Sequence, residues 1–157
     1  MVTWPAILIL ILLAGCAGRA GVPDAPAPTA TPDPIQDQAA EFRRLRAVAG
    51  HFQGGNWNDG VDRWMGKKHA LMVELGERLD TGTYSRSQAV DLLGEPDAIA
   101  REGDPLYNQI RARAEFKEPP GGGYDLLVYH WRGEHDFMYL VVHEETILGA
   151  GWWYAGE

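Results

Sequence analysis

Cysteine is almost absent from this chain of 157 residues: Cys16 is the only one. That count excludes a disulfide framework, a cysteine-rich zinc site and a paired-thiol redox centre. Serine is nearly as scarce, with only Ser85 and Ser87. Neither sits in a nucleophile-elbow pattern, and both fit a helix cap better. Basic clusters are missing too. The formal charge is −8 and the basic residues are scattered, so no face neutralises phosphates and nucleic acid is not an expected partner. The triple glycine 121–123 is not followed by Lys-Ser/Thr, so it is no phosphate loop. Histidines number five. His130 and His143 share a strand face but lie about 20 Å apart, too far for one ion. No metal site, cofactor or catalytic set is expected, and the chain does not read as an enzyme.

Apolar residues are concentrated at the amino terminus. Ala6 to Leu13 is unbroken hydrocarbon. It is too short for a membrane-spanning helix, which needs about 20 such residues. Its length and the small residues after it suit a signal-peptide core with its cleavage site. The stretch Leu13-Ala14-Gly15-Cys16 resembles the lipobox of bacterial lipoproteins. That resemblance implies a diacylglyceryl group on the Cys16 thiol, cleavage between Gly15 and Cys16, and an acyl chain such as palmitate on the new amino terminus. Ala17 stands where an aspartate would resemble an inner-membrane retention signal. The resemblance therefore implies a lipid anchor in the outer membrane, with the domain facing the periplasm. Lipidation of Cys16 leaves no free thiol.

Residues 1–15 are thus expected to be a signal peptide and residues 16–38 a tether. Pro23, Pro26, Pro28, Pro32 and Pro34 alternate there with Ala, Thr and Asp. Such composition has nothing to offset ordering entropy and favours extended polyproline II, reaching roughly 65 Å at ~3.1 Å per residue. Residues 39–157, about 120 in number, fit one domain.

Within that domain, Phe42, Leu45, Val48 and Ala49 predict a helix over 39–49, with Arg43, Arg44 and Arg46 on a solvated flank. Glycines, Asn56, Asn58 and Asp59 make 51–60 a loop. Asn56 and Trp57 are its candidate ligand residues, because an indole among polar loop residues can stack on a sugar. Trp64, Leu71, Leu75 and Leu79 predict a second helix over 62–79, with Lys68 on the same stripe. Ser85-Arg86-Ser87-Gln88 fits a capping box opening a short helix that Gly94 and Pro96 end. Residues 101–123 read as irregular, with a short helix or strand from Ile110 to Phe116.

Residues 125–131, 137–143 and 146–154 are rich in Val, Leu, Ile, Tyr and Trp and predict a three-stranded antiparallel meander. The fold class is α+β, with two to three helices on one face of that meander. Pairing Trp131 with Asp136 and His143 with Thr146 places Leu127, Tyr129, Met138, Leu140, Val142, Ile147, Gly149 and Gly151 toward the helices. The opposite face then carries Phe137, Tyr139, Trp152 and Tyr154. If uncovered, those four are a candidate partner surface. The amino-terminal helix or residues 101–123 are the alternative cover for that face.

Gly82-Thr83-Tyr84-Ser85-Arg86-Ser87-Gln88-Ala89-Val90 and Leu93-Gly94-Glu95-Pro96 resemble the helix-cap and helix-stop motifs of the SmpA/OmlA (BamE-like) family of small envelope lipoproteins. Tyr129-His130-Trp131 resembles its aromatic first strand. The resemblance covers residues 68–154. It implies an interaction module working with another envelope protein, in outer-membrane protein assembly or envelope integrity. The competing expectation is a ligand- or peptidoglycan-binding module that uses the Trp57 loop.

Overall fold

Residues 34–113 and 121–156 are described by a computed structural model of the chain. The lipobox, the signal peptide, the tether up to residue 33 and residues 114–116 lie outside the described residues.

Helix α1, Pro34–Arg46, starts five residues before the expected boundary, inside the expected tether. Pro34 suits a first helical position because its missing N–H has no intrahelical partner there. Ile35, Ala39, Phe42 and Leu45 are buried at helical spacing. Helix α2, Lys67–Leu79, buries Leu71, Met72, Leu75 and Leu79. It starts later than the Trp64 periodicity suggested. Met65 adopts a φ of 57°, which no right-handed helix tolerates, so residues 61–66 form turns instead.

Helix α3, Arg86–Leu93, carries the expected capping box. Ser85 Oγ accepts from the Gln88 N–H at 3.1 Å, and Gln88 Oε1 accepts from the Ser85 N–H at 2.8 Å. Two of the arginines on α1 are not on a solvated flank. Arg43 donates to the Asp91 and Leu92 carbonyls, and Arg46 donates to the Leu93 carbonyl and pairs with Asp97 at 2.7 Å. These cations satisfy the last carbonyls of α3, where the helix dipole is negative.

The sheet has four antiparallel strands in the order β1-β2-β3-β4. They are β1, Ala98–Arg101; β2, Tyr124–Arg132; β3, Asp136–His143; and β4, Thr146–Trp153. The last three form the expected meander, and β1 is an addition on the β2 side. Helix α4, Pro105–Arg113, joins β1 to the segment before β2.

One sheet face packs Leu127, Tyr129, Trp131, Met138, Leu140, Val142 and Ile147 against α1, α2 and α3. The other packs Leu126, Val128, Phe137, Tyr139, Val141 and Trp153 against Tyr107 and Ile110 of α4. The second face is therefore covered, by residues within the 101–123 stretch. Phe137 and Tyr139 are only 2% and 4% exposed, so they form no open partner surface.

Two β-bulges interrupt the expected pairing, and the one in β4 alters the expected faces. In β2, His130 pairs with Phe137 and Arg132 with Asp136, leaving Trp131 as the extra residue. In β4, Ile147 pairs with Val142 and Gly149 with Val141, leaving Leu148 extra. A bulge reverses the alternation of side chains beyond it. Beyond Leu148, Ala150 and Trp152 consequently join the helix-side core beside Trp131, while Gly151 faces Tyr139. A Cβ at Gly151 would lie 2.3 Å from the Tyr139 ring.

Candidate functional site

The β4 bulge completes an aromatic cluster at one end of the sheet. Trp131 from β2, Trp152 from β4 and Tyr154 just beyond it meet Trp64 and His69. The His69 ring lies 4.3 Å from Trp131, 4.5 Å from Trp64 and 4.9 Å from Trp152 between centroids. Trp64 sits 5.2 Å from Tyr154, and Trp152 stacks on Tyr154 at 5.4 Å with planes 4° apart. Such pairs add to the stabilisation given by burial alone.

The floor of the cluster is fixed by polar contacts. Trp131 is fully buried, and its indole N–H donates to the Val61 carbonyl at 2.8 Å. The Trp131 carbonyl accepts from Lys68 Nζ at 2.9 Å. Burial pushes the Lys68 ammonium down to about 8. His69 is also buried, its Nε2 lies 3.3 Å from the Tyr154 hydroxyl, and its Nδ1 has no hydrogen-bond partner among the described residues. Burial, aided by the charge of Arg132, lowers its pKa. Burial, with Asp136 nearby, pushes Tyr154 up to about 12.

The rim is exposed. Trp64 is 53%, Met65 61% and Tyr154 40% accessible. Met65 pays for that position with a left-handed backbone, a cost of roughly 1–2 kcal/mol for a residue with a side chain. Gly66 next to it has no room for a Cβ, which would meet the Asp59 carbonyl oxygen at 2.4 Å. A strained turn that holds large apolar side chains in solvent points to function.

A groove of about 330 Å³ runs from this rim between α2 and β4. Trp64, Met65, His69, Trp152 and Tyr154 line one end, Val73, Gly76 and Ala150 the middle, and Glu77 and Asp80 the other end. A larger pocket of about 580 Å³ lies beside Lys68, Arg46, Asp97 and His130. Its Asp97 pairs with Arg46 and accepts from the His130 N–H at 2.7 Å, and its Lys68 donates to the Trp131 carbonyl.

The residues singled out from the sequence are dispersed. Phe137 and Tyr139 lie in the α4-side core, whereas Trp152 and Tyr154 lie in the aromatic cluster. Asn56 and Trp57 are on a separate loop. Trp57 is 55% exposed, and its indole N–H donates to Asp59 Oδ1 at 2.6 Å. Its ring stands 6.3 Å from His51 and 6.5 Å from Phe52. The loop is pinned by the fully buried Asp62, which accepts from the backbone N–H groups of His51 and Asn58. Trp64, Met65 and His69 were missed because the period of α2 seemed to extend through them. Gly66 beside Met65 was the available warning. Among the described residues, no group of three His, Cys, Asp or Glu side chains can hold a metal ion. The chain matches no protein-family model, no curated protein and no solved structure.

Proposed function

We propose that this chain is a lipid-anchored envelope protein, held in the outer membrane through Cys16, that works by binding another envelope protein. The observation that carries the binding role is the exposed rim of Trp64, Met65 and Tyr154 on a strained turn beside an open groove. Aromatic residues and Met are the side chains enriched at protein interfaces, and buried anchors of this type dominate binding energy. The anchor rests on Leu13-Ala14-Gly15-Cys16 and its resemblance to a lipobox. The contribution to envelope assembly rests on the resemblance to the SmpA/OmlA family.

Each half has its own test. Wild-type protein should incorporate labelled palmitate and fractionate with outer membranes, and Cys16→Ala should do neither; unchanged labelling would sink the anchor. A photo-cross-linking residue at position 64, in intact cells, should capture one recurrent protein that the same residue at the exposed position 109 does not. Equal capture from both positions would refute the binding surface. A second reading, glycan contact through the exposed Trp57, predicts co-sedimentation with purified peptidoglycan that Trp57→Ala abolishes.

A further inference from the structure

The order of strands leaves two sheet edges, β1 and β4. β1 is four residues long and ends at Arg101, whose side chain lies 3.9 Å from Asp125. β4 is eight residues long. Its first two residues are closed off: Ile147 N–H donates to the Tyr84 carbonyl at 2.9 Å, and Ser85 forms a bridge with Thr146. From Leu148 to Trp152, no backbone group of the described residues pairs with the outer side of β4. In an edge strand, alternate residues turn N–H and C=O groups outward. Natural edges are blunted by charge, proline or bulges. The run Leu148-Gly149-Ala150-Gly151-Trp152 has no charge or proline, and its bulge is confined to Leu148, so Gly149 to Trp152 keep regular pairing with β3.

The groove between α2 and β4 lies along this same edge. Gly76 lets α2 sit low on the sheet: a Cβ there would stand 2.9 Å from Met138 Sδ and 3.7 Å from the Ala150 Cβ. The two ends of the groove differ in chemistry. One is aromatic, with Trp64, Trp152 and Tyr154. The other is acidic. Neither Glu77 nor Asp80 has an ion pair among the described residues, and both stand at the carboxyl end of α2, where the helix dipole adds negative potential. A Cβ at Gly149 would lie 3.3 Å from Asp80 Oδ1, so this carboxylate reaches the strand itself.

We propose that the outer edge of β4 accepts an added antiparallel strand from the partner protein, an extended segment placing an apolar or aromatic side chain against Trp152 and Tyr154 and a basic one against Glu77 and Asp80. Main-chain hydrogen bonds to Leu148–Trp152 supply the pairing, and the groove selects the inward side chains. A second copy of this chain fits less well. Its own edge strand, Thr146–Trp153, contains no Lys or Arg to meet the two carboxylates.

This inference rests on the partner-protein reading, and its test separates the two. The probe is the peptide Thr-Phe-Thr-Val-Thr-Lys-Thr, in which Phe and Lys face the groove about 13 Å apart when extended. Its counterpart has Glu in place of Lys. With the full-length protein in detergent, the Lys peptide should slow amide hydrogen exchange at 148–152. It should also bind about fivefold tighter than the Glu peptide, as one favourable surface charge contact allows. The double variant Glu77→Lys/Asp80→Lys, if its melting curve matches wild type, should reverse that preference. Unchanged exchange at 148–152 with cross-linking at position 64 retained would overturn strand addition and leave the partner surface standing. Protection that appears with rising protein concentration and no peptide, with a doubled sedimentation mass, would overturn it in favour of a second copy.

Discussion

His69 Nε2 lies 3.3 Å from the Tyr154 hydroxyl. The contact joins the first turn of α2 to the residue just past β4, across the aromatic cluster. It leaves Nδ1 buried with no hydrogen-bond partner among the described residues. A neutral imidazole tolerates that environment; an imidazolium there would be a buried charge without a carboxylate at hydrogen-bonding distance.

Acidification should therefore weaken the fold through His69. Burial first, and the Arg132 charge second, lower its pKa from 6.5, with Asp136 opposing. The unfolded chain takes up a proton near 6.5 while the folded chain still excludes it. Stability is fully present above that pH and is lost as the pH falls below it toward the folded pKa. Thermal melting at pH 7.5 and 5.5 should show a larger drop in Tm for wild type than for His69→Gln. Equal drops would assign the effect elsewhere.

Lys68 extends the same trend into alkali. Its pKa is lowered from 10.5 to about 8, chiefly by burial. Between those values the folded protein sheds the proton and the unfolded chain keeps it. Stability should rise from pH 8 to 10, on the order of 2 kcal/mol. Above pH 10 the trend should reverse, because Tyr154, pushed up to about 12, resists an ionisation that the unfolded chain undergoes. Urea denaturation of wild type and Lys68→Met at pH 8 and 10 checks this: the gain should vanish in the variant.

The parts of the fold visible in sequence were those set by local chemistry. Ser85 and Gln88 specified a capping box, and the alternating Val, Leu and aromatic residues of 124–154 specified a meander. The parts hidden were those decided by one residue's backbone. The bulge at Leu148 sits beside Gly149, a signal that the alternation of 146–154 masked, yet it redistributes every side chain of β4 beyond it. Strict alternation therefore grouped Trp152 and Tyr154 with Phe137 and Tyr139, which belong to a different core. Strand β1 is four residues beside Pro96 and Asp97, too short for a period to show. Arg43 and Arg46 resembled a solvated flank because the helix end they cap lies more than forty residues away in sequence.

Two left-handed residues should respond differently to glycine. Glu144 has φ of 53° at the first position of the two-residue turn joining His143 to Thr146. Glycine is the favoured residue where a hairpin turn needs positive φ. Glu144→Gly should stabilise by about 0.5–1 kcal/mol, the strain relieved less the extra entropy of the unfolded chain. Met65→Gly should give a similar gain, but it removes an exposed side chain from the rim. Cross-linking from position 64 should then fall while the denaturation midpoint rises. A Met65→Gly protein that gains stability and keeps full cross-linking would show that the strain serves no contact.

The turn that presents Trp64 and Met65 depends on Asp62. This carboxylate is fully buried and accepts from the His51 N–H at 3.1 Å to both oxygens and from the Asn58 N–H at 2.8 Å. Gly50 is obligatory beside it, since a Cβ there would come within 2.2 Å of Asp62 Oδ1. Asp62→Ala leaves two part-buried donors without their acceptor and opens a void, and should cost about 2–3 kcal/mol. Asp62→Asn keeps one acceptor oxygen and should cost about half as much. Because Val61 beside it holds the Trp131 indole, the loss should spread to the aromatic cluster. Chemical denaturation measures the first effect. Tryptophan emission under native conditions measures the second: a red shift in Asp62→Ala, absent in Trp57→Ala, would place the Asp62 carboxylate in control of both the Trp57 loop and the partner rim.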